Sequence, residues 1–308
     1  MNRGAFLGTS DFAATVLECL AASAQRPSLA VTLPDRRQGR GRQEQPSPVA
    51  TKAEELGIEV FKSADVNDAT AIEKLNSAGG EWASICAFGQ LIKEPLLTEL
   101  PMLNVHPSLL PRWRGAAPIE RAIMAGDEST GVAVMRLVEG LDSGPVAMVE
   151  STAIDESEDF GSLSVRLAEI GGQLLVRALE AAGAGGLEWA EQDEDGVTYA
   201  EKISSEDRQL DPSGRASDLH NQARALNPHI GAYLALEGDD RLAVRATTVL
   251  DRPSWGPGQV IGDDGELLLA CGDCTLRLDV VQPPGKTAMD AGSYLRGYGL
   301  PDLAPATG

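Results

Sequence analysis

The sequence predicts an α/β chain in which a mostly parallel sheet with helices on both faces is followed by a smaller domain of short strands. Three observations predict it. Apolar strands alternate with amphipathic helices of about 10 to 12 residues as far as Ala182, as in crossover-connected parallel sheets. Residues 183–207 are rich in glycine and acid and carry no hydrophobic period, as a linker does. Beyond them short alternating strands lie between Gly and Asp turns, the pattern of a small barrel. The chain of 308 residues suits one large or two ordinary domains, and we place a first domain at 1–187, a linker at 188–207 and a second domain at 208–308.

Residues 3–8 read as a short apolar strand, Thr9-Ser10-Asp11 offers helix caps, and residues 12–22 carry a helical apolar stripe. This opening is Rossmann-like. The turn Gly8-Thr9-Ser10-Asp11-Phe12-Ala13 nevertheless lacks the Gly-x-Gly-x-x-Gly spacing that lets a pyrophosphate approach the backbone, so no dinucleotide site is expected. Residues 29–33 make a second strand. The stretch 34–46 is polar, glycine-rich and aperiodic, and reads as a mobile surface loop. It places Arg36, Arg37, Arg40 and Arg42 against Asp35 and Glu44, although most charge runs are only solvated. Ser47-Pro48 starts a helix to about Leu56, residues 58–61 form a strand, and 67–77 form a helix. Residues 82–88 read as a buried strand ending in Phe88-Gly89-Gln90.

Met102-Leu103-Asn104-Val105 is a strand running into a turn, and strand alternation points Asn104 and His106 the same way. Pro107 and Pro111 then prevent regular pairing, and Gly115 permits a tight turn before a helix that Pro118 can open. On the residues alone, an Asn before a turn commonly satisfies backbone groups, and a lone His serves structure as readily as catalysis. The helix continues through 120–124, a strand follows at 131–138, and Gly140-Leu141-Asp142-Ser143-Gly144 makes a sharp turn. An Asp in such a turn often only caps its own backbone. A strand at 147–153 and a long helix at 160–182 complete the first domain. In the second, a helix at 217–226 precedes strands at 233–237, 242–250, 258–261, 266–271 and 275–281, which suggests an OB-like β-barrel.

Composition narrows the classes. No run of about 18 apolar residues exists, and the amino terminus lacks the basic-then-apolar pattern of a signal peptide, so a cytoplasmic protein is expected. Cys271-Gly272-Asp273-Cys274 has metal-like spacing, but no second pair or nearby His completes four ligands, and a turn between strands is the better reading. No metal site is proposed. The net charge of −20 and pI of about 4.5 argue against a nucleic-acid partner unless a local basic patch exists.

The string Asn-x-His-x-Ser-Leu-Leu-Pro from Asn104 to Pro111, followed by Gly-Leu-Asp-Ser-Gly from Gly140 to Gly144, resembles the signature of the formyltransferases that use 10-formyltetrahydrofolate. The resemblance implies that Asn104, His106 and Asp142 are the catalytic group. It also implies a folate pocket formed by two loops at strand carboxyl ends, Phe88, Gly89 and Gln90 in one and Ser108, Leu109, Leu110 and Pro111 in the other. Phe88 stands where a tyrosine is usual, and Ser10 where a proline is usual. Residues 111–118, Pro-Arg-Trp-Arg-Gly-Ala-Ala-Pro, are similar to those of the members that formylate initiator methionyl-tRNA. In those members the segment resembled by 34–41 is pushed against the tRNA acceptor end, so Arg36, Arg37, Arg40 and Arg42 are the implied tRNA contacts. Residues 198–203, 224–228 and 282–286 resemble the same members' connector and carboxyl domain, with His229-Ile230 replacing a usual Trp-Pro. No metal, membrane or stable protein partner is implied. Two alternatives stand beside this one. A formyltransferase acting on a sugar nucleotide or glycinamide ribonucleotide would keep the three residues and need no arginine loop, and a non-catalytic RNA-binding protein would be free to lose them.

The chemistry suits the residue types. An aminoacyl amine, with a pKa of about 7.7 to 8.0, is partly neutral at pH 7 and needs little activation. The larger demands are to stabilise the oxyanion formed when the amine attacks a formyl carbon, and to move a proton from the attacking to the leaving nitrogen. Asn104 and His106 can donate hydrogen bonds, and Asp142 can orient His106 and relay a proton.

Overall fold

The computed structural model describes residues 4–38 and 43–304. In chain order the elements are β1 (Ala5–Gly8), α1 (Asp11–Ala21), β2 (Leu29–Thr32), β3 (Arg36–Gln38), β4 (Gln43–Gln45), α2 (Pro48–Leu56), β5 (Glu59–Lys62), α3 (Ala69–Ser77), β6 (Ala83–Cys86) and α4 (Leu96–Glu99). There follow β7 (Met102–His106), β8 (Arg114–Gly115), α5 (Pro118–Met124), β9 (Ser129–Arg136), β10 (Val146–Ala153), α6 (Phe160–Gly183) and β11 (Tyr199–Ala200). The last stretch holds α7 (Ala216–Leu226), β12 (Ala232–Ala235), β13 (Arg241–Pro253), β14 (Val260–Asp263), β15 (Glu266–Ala270), β16 (Cys274–Gln282), β17 (Met289–Asp290) and α8 (Ala291–Tyr298). Two compact units result: Met1–Pro118, Ser129–Ala153 and Ser164–Ala200 form the first, and Ile119–Glu128, Ile154–Leu163 and Glu201–Gly308 the second.

In the first unit seven strands form one sheet in the order β10-β9-β7-β6-β1-β2-β5. The strands from β7 to β5 in that order are parallel, while β9 runs antiparallel to β7 and β10 antiparallel to β9. Strand alternation gives each face its own apolar set. Leu7, Val31, Ile85 and Met102 pack on one face with Leu75 of α3 and Leu96 of α4. The opposite face meets α6 through two small residues: a Cβ at Gly171 would lie 2.8 Å from Val105 Cγ1, and one at Gly172 would lie 2.6 Å from Cys19 Cβ. Glycine there lets the helix close on both β7 and α1. Side-chain caps start the helices where the sequence offers them, with Ser10 accepting from the N–H of Ala13, Ser47 from Ala50 and Asp68 from Ala71.

Two stretches differ from expectation. Residues 34–46 contain a short hairpin, with Arg36 opposite Gln45 and Gln38 opposite Gln43. Its polar residues give no hydrophobic alternation, and the hairpin is defined by its backbone pairing. Residues 190–200, expected as linker, pair with the first unit: Ala190 exchanges hydrogen bonds with Val146 at 2.8 and 2.9 Å, and β11 runs parallel to β8.

The second unit is a six-stranded antiparallel sheet in the order β12-β13-β16-β15-β14, with β17 on β16. Leu219, Ala223 and Leu226 of α7 cover a core that includes Leu242, Val244, Leu269, Leu276 and Leu278. Cys271 and Cys274 flank the turn between β15 and β16, where the N–H of Cys271 donates to the carbonyl of Cys274 at 2.9 Å. Helix α8 has no counterpart in the sequence reading, because Gly292 and Gly297 interrupt its period; Asp290 caps it through the N–H of Ser293.

Candidate active site

The sheet brings the carboxyl ends of β1, β6 and β7 side by side, and the loops leaving β6 and β7 carry most of the residues singled out in the sequence. Asn104 lies opposite Ile85 on β6 and Met135 on β9, while His106 lies opposite Ala133, two residues on along the same face. His106 is 4% exposed. Asp142 arrives from the turn between β9 and β10, in the left-handed region at φ 44°.

The three side chains converge. His106 Nδ1 is 3.6 Å from Asp142 Oδ2, and Asn104 Nδ2 is 3.5 Å from Asp142 Oδ1. Both separations exceed a good hydrogen bond. The shorter bonds fix the surroundings: the N–H of Gly115 donates to Asp142 Oδ2 at 2.9 Å, and His106 Nε2 is 2.9 Å from the carbonyl of Trp113. A carbonyl only accepts, so Nε2 carries the hydrogen in that bond and Nδ1 is the ring atom that faces Asp142. Trp113 has φ 64°, and Gly115 has φ 127° with room for no Cβ, since one would lie 2.7 Å from the Ala200 carbonyl. The motif glycine thus lets β8 lie against β11.

The other expected site residues sit around this group in different ways. Ser108 is fully buried and its Oγ donates to the carbonyl of Arg112 at 2.7 Å, closing the turn after β7. Leu109, Leu110 and Pro111 are half-buried beside it. Phe88 has its ring in the core, and its carbonyl accepts from Thr9 Oγ1 at 2.7 Å, so it offers a ligand neither. Ala87 and Gly89 on either side are exposed at φ 42° and 86°, and they present backbone. The Gln90 side chain is engaged within the fold: Oε1 accepts from the N–H of Val66 at 2.7 Å and Nε2 donates to the Ser63 carbonyl at 2.8 Å. Cys86, at the end of β6, is wholly buried, and burial pushes its thiol up, away from nucleophilic use. Arg36 is exposed and Arg37 stands beside it on β3, whereas Arg40 and Arg42 lie outside the described residues.

Sequence reasoning missed three contributors. Arg114, 5% exposed, donates from Nε to Gln192 Oε1 at 2.9 Å, and Thr198 accepts from the N–H of Arg114 through its carbonyl and from that of Trp113 through Oγ1, both at 2.9 Å. Gln192 lies in a glycine- and acid-rich stretch without period, so no local signal marks it, while Thr198 is marked in the sequence only as the start of the connector that residues 198–203 resemble.

A strand-end amide, imidazole and carboxylate on a mostly parallel sheet, in a chain that also carries a separate antiparallel unit, is the make-up of a known enzyme class. The chain belongs to the formyl transferase family, whose amino-terminal domain matches residues 2–179 and whose carboxyl-terminal domain matches residues 202–299. It is 41% identical over 300 residues to the methionyl-tRNA formyltransferase of Parvibaculum lavamentivorans, covering 96% of this chain and 97% of that protein. The methionyl-tRNA formyltransferase of Methylobacterium sp. is also 41% identical, over 301 residues and 96% of each chain. Among solved structures, HypX from Aquifex aeolicus in complex with tetrahydrofolic acid matches with a TM-score of 0.65 at 16% identity, over 96% of this chain and 47% of HypX. The chain therefore spans about half the length of HypX, and that likeness is one of fold.

Proposed function

We infer that the chain transfers a formyl group from 10-formyltetrahydrofolate to the amino group of methionyl initiator tRNA, preparing it for translation initiation. The observation that carries this reading is the convergence of Asn104, His106 and Asp142, in a chain about two-fifths identical along its length to enzymes of that name. We assign these three residues the transfer chemistry.

The folate co-substrate supplies the activated formyl group. Its binding falls to the loops after β6 and β7, through the backbone at Ala87 and Gly89 and the turn from Ser108 to Pro111. The exposed Ala87 and Gly89 fit that role, because neither carries a bulky side chain of its own. The residues of the chain then have separable tasks. Asn104 presents an amide N–H toward a developing oxyanion, where preorganised donors are worth most. The Nε2 of His106 is committed to the Trp113 carbonyl, so proton transfer runs through Nδ1. Asp142 faces that atom at 3.6 Å, a separation that a bridging water or a small closure converts into a relay. Gly115 holds Oδ2 in place meanwhile.

The hairpin β3–β4 bears Arg36 and Arg37, with Arg40 and Arg42 in the segment between its strands, and we assign these four arginines to the tRNA. In a chain of net charge −20 they supply the local attraction that phosphates require, while acidic surface elsewhere disfavours wrong docking. Charged initiator tRNA is met in the cytoplasm, so this choice of acceptor supports a cytoplasmic location. Among the described residues no helix is long and apolar enough to cross a membrane.

The direct test supplies purified protein with 10-formyltetrahydrofolate and either charged initiator tRNA, an amino sugar nucleotide or glycinamide ribonucleotide. Formylation of the tRNA alone is expected. Efficient formylation of a small acceptor, with none of the tRNA, would overturn the choice of acceptor.

A further inference from the structure

We propose that Gln192 is a positioning residue for formyl transfer, clamping the turn that carries Asp142 to the loop that carries Trp113 to Gly115. The proposal rests on the catalytic reading of Asp142. Gln192 Nε2 donates to two carbonyls of that turn, Asp142 O and Gly144 O, each at 2.8 Å. Its Oε1 accepts from Arg114 Nε at 2.9 Å. Both amide hydrogens and one acceptor site are thus used, and all three bonds go to the two segments that build the site.

The geometry gives the clamp a purpose. Asp142 sits at φ 44°, an uncommon conformation for a residue with a side chain, which surroundings must hold in place. On one side the turn is pinned by close packing, since a Cβ on Gly144 would lie 2.0 Å from the Arg136 carbonyl. On the other side Gln192 grips the backbone of Asp142 itself, leaving the carboxylate free to accept from Gly115 and face His106. Neighbouring bonds tie the clamp's own segment down: Ala190 to Val146, Thr198 to Arg114 and Trp113, and Ala200 to Ala116 at 2.8 Å. Residues 190–200 therefore strap both halves of the site together, and Gln192 is the strap's side-chain contact with the carboxylate-bearing turn.

The substitution Gln192→Glu separates the roles. A carboxylate still accepts from Arg114 but has no hydrogen for the carbonyls of Asp142 and Gly144. Misplacing a reacting group by about 1 Å can cost about 10²-fold in rate, so kcat is expected to fall between about tenfold and a hundredfold. KM for both substrates should stay within about twofold, because the interaction lost bears on the transition state. Gln192→Met, of similar length and with neither donor nor acceptor, carries the same expectation if the glutamate variant fails to fold. The decisive comparison is with Asp142→Asn. If Gln192 acts through Asp142, adding Gln192→Glu to Asp142→Asn leaves the residual rate unchanged, because residues acting as a unit are not additive. An undiminished further loss in the double variant, or normal kcat in a folded Gln192 variant beside an impaired Asp142→Asn, would overturn the clamp and leave the catalytic reading intact. Normal turnover in Asp142→Asn would instead remove the catalytic reading, and the clamp with it.

Discussion

Asp142 Oδ2 lies 3.6 Å from His106 Nδ1 while accepting the N–H of Gly115 at 2.9 Å, so one carboxylate oxygen faces both the imidazole and the motif loop. Replacing Asp142 with Asn preserves an acceptor for Gly115 but removes the charge and the proton relay. We expect kcat to fall by at least about a hundredfold, with KM for both substrates little changed and the thermal midpoint within a few degrees of the native protein. Steady-state kinetics beside a thermal melt checks this, and a variant that loses activity only because it unfolds would count against a chemical role.

Much of this site was legible before the fold was known. Strand alternation put Asn104 and His106 on one face, and the structure has them both facing Asp142. The strap was illegible for a physical reason. Gln192 and Thr198 act through a few hydrogen bonds from a mostly exposed segment, which leaves no hydrophobic period and no glycine signature. The hairpin over 36–45 was hidden likewise, being held by backbone pairing of polar residues. The two loops assigned to folate do leave strand ends, yet Phe88 is core and Gln90 a tie to Ser63 and Val66, which only tertiary contacts reveal.

The basic hairpin makes a salt-dependence prediction. Each phosphate contact on single-stranded nucleic acid contributes about −0.7 to the slope of log affinity against log salt. Replacing Arg36 and Arg37 with Ala should therefore flatten the slope by about 1.4 if each makes one contact, and raise KM for tRNA while leaving that of the folate donor unchanged. An unaltered salt slope would remove these arginines from the tRNA surface.

Acid sensitivity is expected from His220 on α7. Burial pushes its imidazole below the ordinary value, and Nδ1 is held 2.8 Å from Thr247 Oγ1. The folded state thus binds this proton less readily than the unfolded chain. Stability is fully present above the unfolded value of about 6.5 and is lost as pH falls through the folded value. Thermal midpoints recorded from about pH 8 to pH 5 should drop more steeply in the native protein than in His220→Gln, although the variant starts lower. Parallel curves would show that His220 does not govern the decline.

The acidic surface predicts opposite salt responses for stability and binding. Screening shortens from about 10 Å at 0.1 M to about 3 Å at 1 M, relieving repulsion within a chain of net charge −20. The thermal midpoint should rise over that range of NaCl while tRNA affinity falls, giving an activity optimum between the two limits. A midpoint that fell steadily with salt would mean that ion pairs such as Arg121 with Asp207, whose carboxyl is held at about 2 by the guanidinium beside it, outweigh the repulsion.

The most direct test of the catalytic group is single-turnover formyl transfer by His106→Ala, with saturating 10-formyltetrahydrofolate and charged initiator tRNA. Loss of the Nδ1 proton route should slow the transfer step by at least about a hundredfold while both substrates still bind, so the rate stays low however much of either is added. A folded His106→Ala enzyme that transfers formyl at close to the native rate would contradict the assignment of His106, Asn104 and Asp142 as the transfer centre.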